Sequence, residues 1–90
     1  MTTTFENAKK IIDKKIEVEK KNGYNGIDIP LDYNWYTEIN IGYPNEELLL
    51  QIVDWAKEKY EVEKYEVSYS VDTRDLGFNF CRYHLSVRWD

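Results

Sequence analysis

The only cysteine and the only histidine, Cys81 and His84, stand three positions apart in FNFCRYHLSV. Cys-x-x-His is a spacing from which a metal clip, or a thiolate beside its base, can be built. Both chemistries need the two side chains on one side of the backbone, so the element that carries them decides. The flanking residues alternate. Asn79, Cys81, Tyr83, Leu85, Val87 and Trp89 form one set, and Phe78, Phe80, Arg82, His84, Ser86 and Arg88 the other. The first set is mostly apolar, which is the pattern of a strand with one face on a core. Side chains three apart on a strand project from opposite faces. Cys81 is therefore expected in the core and His84 on the solvated face, sharing neither a metal nor a proton. Zinc would need carboxylates for its remaining ligands, and no P-loop, dinucleotide fingerprint, EF-hand or HExxH pattern occurs. The expectation is a chain that is not an enzyme and holds no cofactor or metal.

Ninety residues suffice for one domain, expected to span 1–90, because a second core would leave each too small to stand alone. The chain is 42% apolar and 16% aromatic, well outside disordered compositions. A single cysteine excludes an internal disulfide and suits a reducing cytoplasm. No apolar run is long enough to span a bilayer, and MTTTFENAKK lacks the features of a signal peptide. The net charge of −5 is uneven: residues 5–23 carry six lysines against four acids, whereas residues 24–63 carry nine acids against Lys57 and Lys59. Such an acidic middle repels nucleic acid and attracts basic protein surfaces.

Phe5, Ala8, Ile11, Ile12 and Ile16 make a helical stripe, with Thr3 and Glu6 as a capping box and Asn22-Gly23 as the stop. Glu17 and Lys21 are placed for an i,i+4 pair, and the remaining lysines read as a solvated face. From Ile27 to Tyr43 apolar residues keep to odd positions, which predicts two strands broken near Pro30, the first at a sheet edge. Asn45 caps a second helix whose wide apolar arc includes Leu49, Ile52, Val53 and Ala56. Tyr65, Val67, Tyr69 and Val71 alternate in a third strand, and DTRDLG turns into the fourth. The predicted class is α+β: a two-layer α-β-β-α-β-β fold, four antiparallel strands with both helices on one face. It reads as two units of one plan, 1–43 and 44–90.

That arrangement leaves one sheet face to water or a partner. Asp28, Tyr36, Glu38, Phe78, Phe80, Arg82 and His84 are expected there, and exposed aromatics on a polar face mark a contact patch. Asp28, Asp32, Glu38, Glu46 and Glu47 are interleaved with Tyr24, Tyr33, Trp35, Tyr36 and Tyr43. Acids among aromatic anchors suit docking on a basic groove of a larger protein.

Two resemblances bear on this. GFNFCRY, residues 77–83, resembles the aromatic spacing of the RNP1 element in RNA-recognition motifs, which implies base stacking on Phe78 and Phe80. In size and composition the chain is similar to the small acidic inhibitors that phages make against bacterial defence, anti-CRISPR proteins among them. This second likeness implies a protein partner and, in some cases, mimicry of nucleic-acid charge. A small immunity-type or regulatory partner protein, or a homodimer through the open face, fits the same features.

Overall fold

A computed structural model describes residues 3–32, 39–41, 45–71 and 83–89. Helix α1 runs Phe5–Lys21, strand β1 Gly26–Pro30, helix α2 Glu46–Tyr60, strand β2 Glu66–Val71 and strand β3 Tyr83–Arg88. A short 3-10 turn, Glu61–Glu63, follows α2 and ends at Lys64 in the left-handed region. The chain is thus α+β, with two helices on an antiparallel sheet that has three strands among the described residues.

The helices begin and end close to where the sequence places them. Asn45 caps α2, its side-chain oxygen accepting from the Leu48 N–H at 3.3 Å, with Glu46 and Glu47 in the first turn. Helix α1 is capped by Thr4, whose hydroxyl accepts from the Asn7 N–H at 3.2 Å, and not by Thr3. Thr3 serves a different bond: its hydroxyl accepts from the Asn40 N–H at 2.7 Å. Asn22 and Gly23, the latter at φ +85°, close α1 as expected, and Glu17 and Lys21 form the i,i+4 pair at 3.4 Å.

The last strand occupies the middle of the sheet. β3 pairs with β1 on one side and β2 on the other, with Ile29 and Tyr69 both opposite Leu85, and Ile27 and Val67 both opposite Val87. Tyr83, Leu85 and Val87 are buried while His84 and Ser86 are half-exposed and Arg88 is exposed, so the parity read from the sequence holds over these residues. Their buried face joins Ile29 and Val67 to Ala8, Ile12 and Ile16 of α1 and Leu49, Ile52, Val53, Ala56 and Tyr60 of α2 in one core. α1 lies on β1, α2 on β2, and the helices touch each other. Gly26 is needed where β1 meets β3, since a Cβ there would stand 2.9 Å from the Val87 carbonyl oxygen.

The expected second strand falls largely outside the described residues, as does the comparison of the two predicted units. Within that stretch Ile39 and Ile41 are buried, and the Ile41 N–H donates to the Leu31 carbonyl at 2.9 Å. β1 pairs only with β3 among the described residues, in keeping with Pro30 on an edge strand. No helix among them is long and apolar enough to cross a membrane.

An inter-helix clasp closes the end of α2. The Asp13 carboxylate on α1 accepts from the Tyr60 hydroxyl and from Lys59 at 2.7 Å. Tyr60 also stacks on Tyr65, with ring centroids 5.7 Å apart, and Tyr65 leans on Trp89 at 6.1 Å. Trp89 is held by its indole N–H, which donates to the Tyr24 carbonyl at 2.7 Å. This ladder of rings ties the end of α2 to the end of β3.

Burial raises the Tyr60 phenol above its ordinary value, and the hydrogen bond to Asp13 pushes the same way. The folded chain therefore holds this proton more tightly than the unfolded one. The stability it contributes is whole below about pH 10 and is lost as pH climbs through the raised folded-state value. Tyr60→Phe should flatten the alkaline fall in urea midpoints above that pH, at a neutral-pH cost of about 0.5–1.5 kcal/mol for the lost bond. An unchanged alkaline slope would assign the fall to other groups.

Candidate protein-interaction surface

The open face of the sheet carries three rows of facing residues: Gly26, Arg88 and Glu66; Asp28, Ser86 and Ser68; Pro30, His84 and Ser70. Antiparallel pairing stacks these side chains on the face opposite the helices, and all but the glycine and proline are polar. Asp28 is exposed there and accepts a hydrogen bond from the Ser86 hydroxyl. His84 shares this face, half-buried and engaged with its surroundings. Both stand where the sequence puts them. Tyr36, Glu38, Phe78, Phe80 and Arg82 lie outside the described residues, and so does Cys81.

Asp32 requires a correction. Expected as a contact among the acids, it is only 3% exposed, and its Oδ1 accepts from the Tyr83 N–H at 3.1 Å. The physical reason is that strand alternation ends at Pro30. Leu31 and Asp32, consecutive in sequence, are both buried, because the chain leaves β1 and folds inward against the start of β3.

Helix α2 supplies an acidic surface wider than Glu46 and Glu47. A 100° step per residue puts Glu46, Glu47, Leu50, Asp54 and Glu58 on one arc, three and four apart, and all five are exposed. Leu50 stands 44% exposed among the carboxylates. None of these four acids forms an ion pair among the described residues, unlike Glu6, Asp13 and Glu17 of α1, which are paired with lysines. Leu50, Asp54 and Glu58 were missed in the sequence reading, although their helical spacing carried the signal. Lys57, exposed and three residues after Asp54, falls within the same arc and tempers its charge.

A polar groove sits at the end of the sheet. Tyr24, 60% exposed, lines a groove of about 370 Å³ with Asn25, Gly26, Ile27, Asp28 and Arg88. Here an exposed ring stands beside a carboxylate, as the interleaving of aromatics and acids predicts. Among the described residues no three of His, Cys, Asp and Glu are grouped to hold a metal ion.

Comparison with known proteins returned no matching family model, no matching curated protein and no matching solved structure. The surface chemistry is therefore what bears on function.

Proposed function

We propose that this chain is a small acidic protein-binding module, an inhibitor that docks on a basic, nucleic-acid-binding surface of a larger protein in the cytoplasm. The observation that carries this reading is the unpaired acidic arc of α2, with Leu50 at its centre. Four carboxylates without ion-pair partners among the described residues lose little by meeting a partner's lysines and arginines, and the exposed leucine supplies an apolar anchor. The open sheet face adds a second polar surface, where Asp28 stands near the exposed ring of Tyr24 and Glu66 faces Arg88. The likeness in size and composition to phage inhibitors of bacterial defence points the same way. Binding and not catalysis is the proposed activity, and no cofactor enters it.

The test is capture of a partner from host lysate by the immobilised chain, with identification by mass spectrometry. Glu47→Lys with Asp54→Lys should cut capture about tenfold, as lost and reversed interfacial charge pairs do, while shifting unfolding free energy by less than about 0.5 kcal/mol. Capture should also fall as salt is raised, and a single-stranded oligonucleotide should compete for the partner. Capture indifferent to both substitutions would refute the docking face. RNA binding by the isolated chain at about micromolar affinity would instead favour base stacking on Phe78 and Phe80.

A further inference from the structure

Helix α1 carries charge of the opposite sign, and its lysines are not equivalent. Lys9 pairs with Glu6 at 2.9 Å, Lys21 with Glu17 at 3.4 Å, and Lys20 donates to the Tyr65 hydroxyl. Lys15 is engaged as well. Lys10 and Lys14, one helical turn apart, have no ion pair or side-chain hydrogen bond among the described residues. Both line the same open groove, of about 460 Å³, whose other walls are Ile11, Lys15, Val18, Glu19 and, from β1, Ile27. The two unsatisfied ammonium groups of the helix thus border an apolar floor that includes the half-exposed Val18.

The edge of β1 bounds this groove. The Trp89 N–H donates to the Asn25 carbonyl at 3.0 Å and the Leu31 N–H to the Tyr83 carbonyl at 2.9 Å. Odd residues of β1 therefore face β3, and antiparallel alternation turns the N–H and C=O of Gly26 and Asp28 toward the outer edge. Neither finds a backbone partner there among the described residues. Pro30, with no N–H, ends the receptive stretch.

We propose that the α1–β1 groove takes an extended acidic peptide of another protein, added as a strand outside β1. Its helix-facing side chains set carboxylates on Lys10 and Lys14 and apolar groups on Ile11, Val18 and Ile27. Its other side chains, which share a face with Asp28, are uncharged. Main-chain bonds to Gly26 and Asp28 supply affinity, and the alternating pockets supply selectivity. A second copy is a poorer occupant, since closed two-fold pairing of this face would set Lys10 and Lys14 against their own images. An anionic membrane is poorer too, because it offers no extended backbone to pair with the N–H and C=O of Gly26 and Asp28. This site is separate from the α2 arc, and its failure would leave the docking proposal standing.

The experiment titrates the 15N-labelled full chain with a short synthetic peptide alternating Thr with Val or Glu. Amide shifts should concentrate between Lys10 and Glu19 and at Gly26 to Asp28, with slowed exchange of the Asp28 N–H. Lys10→Glu with Lys14→Glu should weaken binding about tenfold at an unchanged melting midpoint, and replacing the peptide's Glu by Gln should weaken it likewise. A peptide N-methylated along the pairing edge should not bind. Equal binding of the methylated peptide, shifts elsewhere on the chain, or no shift at millimolar peptide would each overturn the proposal. So would binding to phosphatidylglycerol vesicles, or self-association through this face, without binding of the peptide.

Discussion

Leu85→Ala should lower the unfolding free energy by about 2–5 kcal/mol, the range for truncating a buried leucine that leaves a cavity. Leu85 is fully buried at the centre of the central strand, opposite Ile29 on one side and Tyr69 on the other. It belongs to the single buried cluster that also takes in residues of both helices. Ser68→Ala, on the open face two residues into β2 from Glu66, should stay within about 0.5 kcal/mol of the parent chain. Urea melts of the two variants check both numbers. If Ser68→Ala proves the costlier change, the sheet's buried and open faces are exchanged. An intact fold with Leu85→Ala at under about 1 kcal/mol would mean that the core does not close on β3.

Which face of β3 is buried was legible because strand geometry has a period of two, and Tyr83, Leu85 and Val87 keep it. The burial of α2 was legible from its 3.6-residue period, and Asn45 and Gly23 mark helix ends by local chemistry. The central place of β3 was not legible. Pairing between residues near 28 and near 86 is set by the tertiary fold, and no short stretch of sequence encodes which strand sits between two others. Thr3 with Glu6 is the better cap on paper, yet Thr4 caps the helix while the Thr3 hydroxyl bonds to Asn40, thirty-seven residues away. Tyr69 and Val71 show a further limit. They share the helix-facing side with Leu85 and Tyr83, yet stay partly exposed at the sheet edge. Alternation says which way a side chain points, and only the layout of the helices says whether anything covers it. On the candidate site, the sequence showed the acidity of the middle segment and located Asp28, Glu46 and Glu47 on the surface. It did not separate acids already paired, such as Asp13, from those left free on α2, because the partners Lys59 and Tyr60 stand more than forty residues away.

Asp32 makes that separation measurable. As a surface contact it would be dispensable for folding; as a buried carboxylate it completes the backbone bonding of β3. Its Oδ1 accepts the Tyr83 N–H, at the first residue of the strand, next to the bond from the Leu31 N–H to the Tyr83 carbonyl. Asp32→Ala would leave that donor buried without its acceptor, which costs about 1–3 kcal/mol, with the lost packing of the side chain added. Asp32→Asn keeps an oxygen in the same place and should recover most of the loss. Stability measured by urea melts should follow the order parent, Asn, Ala. Capture of a partner by the folded fraction should be the same for all three, while Glu47→Lys with Asp54→Lys lowers it at full stability. If Asp32→Ala melts with the parent chain but loses its partner, the carboxylate works at the interface and the bond to Tyr83 is incidental.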